Sequence, residues 1–262
     1  MSQGPLHVLR HSEVESHRFG LRVVRGMVAK DAPRDQVRAD IASLKPDIAI
    51  FRCEAGDTRQ IDELAEAGLV PRHADTLVYY RISLAGPTID APAVDGGDIG
   101  QAEVGDAPSL EAIVRRGFAG YRNHYHANPL LSETAILDGY VEWALDYAIR
   151  PAEGQQTWVY RIGGEARSFA TCKLQADRSE VEIVLNATDP AWTGRGLYSS
   201  LLQSLIAHYR RAGFAALVIS TQVWNYGVQR VWSRAGLVIY RAFDTYHVNV
   251  PASAREAETT CP

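Results

Sequence analysis

The stretch VEIVLNATDPAWTGRGLYSSLLQSL, residues 181–205, limits the fold more than any other part of the chain. Its first eight residues alternate in the manner of a strand. Pro190 stops that run, Gly194 and Gly196 follow, and a helical apolar period starts at Leu197. On strict alternation Val181, Ile183, Leu185 and Ala187 share one face of the strand, and Glu182, Val184, Asn186 and Thr188 the other. The second set brings a carboxylate, an amide and a hydroxyl to a strand that otherwise reads as central. A helix start exposes unpaired backbone N–H groups and a partial positive charge. Glycines just ahead of it let the backbone approach an anion closely. That chemistry suits a pyrophosphate, but the same residues also serve as a tight strand-to-helix turn. The motif alone leaves both readings open.

The rest of the chain narrows the function classes. With 262 residues it has room for one large or two small domains. A formal net charge of −4 gives no broad basic surface, so nucleic acid is not the expected partner. No apolar run has the length of a membrane span, and the first twenty residues lack a signal-peptide core. Cys53, Cys172 and Cys261 are scattered and form no CxxC pair, which argues against a zinc site or a disulfide framework. The expectation is a cytoplasmic protein without a metal.

Strand and helix signals alternate over the first ninety residues: FGLRVVRG, RDQVRADIASL, DIAIFRC, DTRQIDELAEAGL and TLVYYRISL. AGPTIDAPAVDGGDIGQAEVG, residues 85–105, is glycine-rich and without period, and reads as a linker or a long surface loop. Helices follow in DAPSLEAIVRRGF and SETAILDGYVEWALDYAI. Next come a hairpin across Gly163-Gly164, the strand ending at Thr188, and the helix stopped by Gly213. FAALVISTQ, the helix in NYGVQRVWSRAGL and the strand VIYRAFDTYHVNV complete the order. We expect a small α/β domain over 1–90, a second α/β domain with a mixed sheet over 91–250, and a disordered tail over 251–262. VIYRAFDTYHVNV is the segment through which a homodimer could pair.

Order and residues together resemble the GCN5-related N-acetyltransferases. Their signature Gln/Arg-x-x-Gly-x-Gly/Ala falls on Thr193, Gly194, Arg195, Gly196, Leu197 and Tyr198. Gly196 matches, while Thr193 and Tyr198 depart from the pattern. EIVLNAT resembles the strand of histone-type members, with Glu182 where they carry a general base. TQVWNYGVQRVWSRAGL resembles the family's Asn-x-x-Ala-x-x-x-Tyr-x-x-x-Gly-Phe helix, with Asn225 on the asparagine and Trp232 on the tyrosine. A looser likeness to dTDP-fucosamine acetyltransferase-like proteins spans nearly the whole chain. It rests on FGLRVVRG, EAGLVPRHADTLVYYRISL, FAGYRNHYHANPLL, DGYVEWA and STQVWNYGVQRVW.

The resemblance implies a mostly antiparallel mixed sheet flanked by helices. It further implies an acyl-CoA co-substrate, acetyl-CoA or a longer chain, and a small amine acceptor such as an amino sugar on a nucleotide. Other amines, or a silent CoA-binding scaffold, are the alternatives. Acyl transfer to an amine requires deprotonation of the ammonium, stabilisation of the oxyanion and departure of the thiolate. Glu182 would be the base. Backbone N–H groups near Ala187 or Thr188 would hold the oxyanion. Thr193–Tyr198 would cradle the pyrophosphate, and Asn225 would contact the pantetheine or cap its helix. An indole N–H does not ionise near neutral pH, so Trp232 cannot copy a tyrosine acid. Three readings follow: the thiolate leaves unaided or with water, Tyr226, Tyr198 or His247 is the acid, or Trp232 only packs. Tyr121, His124 and His126 in YRNHYHANP, with Asn186 and Gln222, would line the acceptor pocket. His-x-His could also take structural or metal roles.

Overall fold

A computed structural model describes residues 7–87 and 96–253. The domain boundary expected at 90/91 and most of the tail expected at 251–262 lie outside the described residues. The elements are β1 (Arg10–His11), α1 (Glu13–Phe19), β2 (Val23–Met27), α2 (Gln36–Leu44), β3 (Ile48–Glu54), α3 (Arg59–Glu66) and β4 (Pro71–Ser83). After them come β5 (Gly97–Gln101), α4 (Ala107–Phe118), α5 (Glu133–Ile149), β6 (Gln155–Ile162), β7 (Glu165–Leu174) and β8 (Val181–Thr188). The last four are α6 (Leu197–Arg211), β9 (Ala216–Gln222), α7 (Tyr226–Arg234) and β10 (Val238–Asn249).

These elements form two compact units. The first takes the chain up to Leu77, Arg122–Ala135, and the chain from Arg241 on; the second takes Val78–Tyr121 and Ile136–Tyr240. In the first unit β1 pairs antiparallel with β2, and β2 runs parallel to β3. β10, the candidate for pairing across a dimer, pairs antiparallel with β3 from Phe243↔Glu54 to Asn249↔Ile48. Helices α2 and α3 bury Val37, Ile41 and Leu64 against Leu9, Val24, Phe51 and Val248. The alternate positions of the same strands carry polar groups. Arg25 and His247 both sit opposite Ile50, and Thr245 sits opposite Arg52. α1 is a helix the sequence did not announce, because its one aliphatic residue, Val14, is exposed. What fixes it is polar: buried Glu15 accepts from Arg25 at 2.8 Å and from the Tyr125 hydroxyl.

The second unit is a mixed, mostly antiparallel sheet flanked by helices. β5, β6, β7 and β8 pair antiparallel in sequence, and β8 runs parallel to β9. β5 lies inside the stretch read as linker. Its Gly97 is obligatory, since a Cβ there would sit 2.3 Å from Tyr160 Cε1 and 2.7 Å from the Arg161 carbonyl. One face of this sheet, with Val159, Phe169 and Leu185, packs under Leu110, Ile113 and Val114 of α4 and Val141, Ala144 and Ala148 of α5. Burying each of the large aliphatic side chains stabilises the unit by about 1.5–3 kcal/mol. α6 packs against β6, β7 and β8. Its Tyr209 hydroxyl bonds to Gln156 and receives the Trp158 indole N–H, both at 3.0 Å. Gln156 and Trp158 alternate with Val159 along β6, so α6 covers the face opposite α4 and α5.

Candidate functional site

The register of β8 shifts between Thr171 and Cys172 of its partner: Cys172 pairs with Ile183, but Thr171 pairs with Leu185. Val184 is the extra residue of a β-bulge, which bends the strand and re-aims the side chains beyond it. The bulge corrects the strict alternation expected from the sequence. Glu182 pairs with Lys173, Leu185 with Thr171 and Ala187 with Phe169, so these three share the α4/α5 face. Asn186 and Thr188 pair with Ala170 and Ser168 and turn to the α6 face. Glu182 and Asn186 therefore do not converge.

Beyond the bulge β8 also leaves its other neighbour. The parallel β8–β9 ladder runs from Val181↔Leu217 to Ile183↔Ile219 and ends there. β8 continues to Thr188 and β9 to Gln222. The two strands open into a V whose apex is at Ile183, one residue after Glu182. Backbone groups that leave a ladder inside a sheet need other partners, and an extended ligand with amide groups is able to supply them.

The turn beyond β8 is built for an open helix start. Asp189 accepts from the Ala191 N–H at 3.1 Å, and the Thr193 hydroxyl donates to the Pro190 carbonyl at 3.0 Å. Gly194 and Gly196 have φ of 75° and 81°, in the left-handed region that favours glycine. Gly196 occupies the N-cap of α6 and offers no side-chain cap, so the first-turn N–H groups of this 15-residue helix point outward without one. Arginines surround the turn. Arg116 reaches Asp189 at 3.0 Å and Arg167 reaches it at 3.6 Å. Arg167 and Arg195 both lie over the Trp192 ring, at 5.0 and 4.5 Å from its centroid. Sequence reasoning named Arg195 and missed Arg116, Arg167 and Trp192, because only the folded turn brings them together. A helix N-terminus, two left-handed glycines and an exposed arginine fit a pyrophosphate.

Glu182 is half-buried and close enough to Tyr147 of α5 for its charge to raise that phenol's pKa, after the larger effect of burial. Trp232 is fully buried. It packs edge-on against Tyr80 with centroids 5.2 Å apart, and its Nε1–H donates to the Tyr198 hydroxyl at 2.9 Å. Its one donor is thus engaged, which leaves it no proton to lend a thiolate; the catalytic assignment of Trp232 gives way to packing. Burial raises the Tyr198 pKa above the ordinary phenol value, with the Trp232 bond working against it. Tyr226, the first residue of α7, is 64% exposed. Asn225 stands at the N-cap of α7 but makes no capping bond, and instead donates to the Thr221 hydroxyl at 3.0 Å.

Of the residues expected to line an acceptor pocket, Tyr121 and Gln222 meet: the Tyr121 hydroxyl donates to Gln222 Oε1 and lies 3.3 Å from Thr221 Oγ1. Histidines 124 and 126 belong to the first unit. His126 accepts from the Asn123 N–H at 3.2 Å within a capping box. His124 is buried with its Nδ1 2.9 Å from His247 Nε2, and Asn128 links His247 to Asn249. Burial, then the charge of Arg52, holds His124 well below the ordinary imidazole pKa, and burial holds His247 down to about 3. A neutral His247 at neutral pH is a poor proton donor. No group of three metal-ligating side chains occurs among the described residues, and no helix there is long and apolar enough to cross a membrane.

Comparison with known proteins places this geometry. Residues 119–237 match the model of the Acetyltransferase (GNAT) family. No curated protein matches the sequence. Among solved structures, a GCN5-related N-acetyltransferase from Sphaerobacter thermophilus superposes with a TM-score of 0.62 at 15% identity, covering 93% of this chain and 76% of that one. A tandem GNAT protein from the clavulanic acid biosynthesis pathway gives 0.59 at 11%, over 88% and 76% of the two chains. A GCN5-related N-acetyltransferase from Kribbella flavida gives 0.55 at 12%, over 87% and 82%. The opened strand pair, the glycine turn and the helix behind it lie inside the matched segment, and the chain has a GNAT-like mixed α/β fold.

Proposed function

We propose that this protein is an acyl-CoA-dependent N-acyltransferase acting on a small primary amine, with an amino sugar carried on a nucleotide as the acceptor class. The observation that carries the transfer reading is the β8–β9 ladder that stops after Ile183↔Ile219 and opens toward the bare N-terminus of α6. The family match supports acyl-CoA chemistry in general. The amino-sugar acceptor rests on the looser resemblance across the whole chain.

Acyl-CoA supplies the activated acyl group. The chain's part is to bind, orient and move protons. Backbone N–H groups from Thr193 to Tyr198, with Arg195, hold the pyrophosphate. Backbone groups of β8 around Ala187 and Thr188 face the gap and polarise the thioester carbonyl. Glu182, at the apex, takes the ammonium proton directly or through a water, freeing the lone pair for attack. The nitrogen bonds to the carbonyl carbon, the C–S bond breaks, and the further proton the nitrogen sheds passes to the thiolate through water or the exposed Tyr226.

The engaged indole of Trp232 favours one second reading: a GNAT-fold protein that binds acyl-CoA without turnover. Thermal-shift titration with acetyl-CoA, longer acyl-CoAs and free CoA comes first. A ligand at about 100 times its Kd stabilises by about 2.7 kcal/mol. Stabilisation by one acyl-CoA, followed by thiol release with amino-sugar nucleotides, is the expected result. Stabilisation without thiol release on any amine supports the second reading. No stabilisation by any thioester overturns both.

A further inference from the structure

Five rings form an unbroken run inside the second unit. Trp224 lies 5.1 Å from Tyr121, and Tyr121 lies 5.3 Å from Phe118. Phe118 stacks on Tyr140 at 4.5 Å, and Tyr140 on Trp143 at 6.2 Å. The two ends are open to solvent: Trp224 is 42% and Trp143 37% exposed. Tryptophan is a costly residue to leave in water, and a contiguous set of rings ending in two exposed indoles marks a contact surface. Its position is fixed by its neighbours. At one end Tyr147 sits beside both Trp143 and Glu182. At the other, the Tyr121 hydroxyl bonds to Gln222 at the end of β9, past the last β8–β9 pair. Between them α4 crosses β8: a Cβ on Gly117 would lie 3.9 Å from Ala187 Cβ and from the Thr188 carbonyl. The rings thus run from the β8 side of the open V to its β9 side, on the face that carries Glu182.

We propose that this row seats the acceptor and that Trp224 selects amines borne on a flat ring over linear amines. The proposal rests on the acyltransferase reading and extends it to specificity. A ring face, whether the C–H face of a sugar or an aryl group, stacks on an indole, whereas a linear chain presents no plane. Thr221, Gln222, Asn225 and Tyr121 bond to one another at the end of β9 and brace the turn that carries Trp224.

The test follows thiol release from acetyl-CoA with glucosamine, phenethylamine and 1,4-diaminobutane, for the wild type, Trp224→Ala and Trp224→Phe. The expected result is a lower KM for the ring amines than for the diamine. Trp224→Ala should raise the ring-amine KM by about threefold to tenfold, leaving the acetyl-CoA KM and the diamine KM in place, and Trp224→Phe should recover most of the loss. Glucosamine against phenethylamine then decides which kind of ring the row takes. Equal use of ring and linear amines, or an unmoved ring-amine KM in Trp224→Ala, overturns this proposal while the transferase reading stands. If no amine releases thiol, ¹⁵N-indole NMR with acetyl-CoA present decides the binding claim. A ring amine that shifts the Trp224 signal, identified by its loss in Trp224→Phe, upholds the seat. An unmoved signal rejects it.

Discussion

Replacing Glu182 by glutamine keeps the shape of the strand and removes the proposed proton acceptor at the apex of the open ladder. The expected loss in kcat is about 10²–10⁴-fold, the usual contribution of a placed general base. The acetyl-CoA thermal shift should persist, since the cradle lies elsewhere. A full rate in that variant would remove Glu182 from the chemistry. Trp232→Ala tests the opposite kind of residue. With a fully buried indole and a bonded N–H, it should lower stability by about 3–5 kcal/mol, read by denaturant unfolding. A drop of under 1 kcal/mol would mean the core refills the space. Backbone conformation was legible in the sequence: Gly194 and Gly196 both take a φ in the left-handed region that favours glycine. Side-chain direction was not. Pairing Glu182 with Asn186 failed because one extra residue at Val184 reverses the faces. Tyr121 falls in the second unit and His124 and His126 in the first, a division that leaves no local signal in the sequence.

At the scale of elements, the turn before α6 offers a clean substitution. A Cβ on Gly196 would meet nothing within 4 Å, so Gly196→Ala costs conformational energy alone, about 1–2 kcal/mol at a left-handed φ. Stability should fall by that amount and acetyl-CoA affinity with it, both read from melts with and without ligand. A destabilised variant with unchanged affinity would separate the turn from the cradle. Most elements were readable because their apolar period was strong: α4, α5, α6 and the β6–β7 hairpin fall where the pattern put them. The exceptions share a cause. α1 is held by Glu15 and Tyr125 rather than by an apolar stripe. β5 is a glycine-bearing edge strand whose partner, β6, lies more than fifty residues on. Neither leaves a local hydrophobic signature.

For the whole molecule, the neutral pair His124–His247 ties stability to pH. Both histidines are held down in the folded state, His247 to about 3, from an ordinary value of 6.5. Between those limits the unfolded chain binds protons that the folded chain does not. Stability is therefore full above about pH 6.5 and falls as pH falls, by up to about 1.4 kcal/mol per pH unit for each such histidine. Melting temperatures should drop from pH 7.5 to pH 5, and His247→Asn should flatten that drop; a flat wild-type profile would contradict the burial. The pairing of β10 with β3 reaches further than equilibrium. Val248 closes a core that includes Leu9, Val24 and Phe51, all in the first fifth of the chain. During synthesis at about 5–20 residues per second, those early strands wait for β10 on the order of ten seconds. Over that interval the second unit, whose residues are all made between them, can pair its strands β5 to β9. A chain cut before β10 should expose the early strands of the first unit to proteases while the second unit stays folded, read by limited proteolysis.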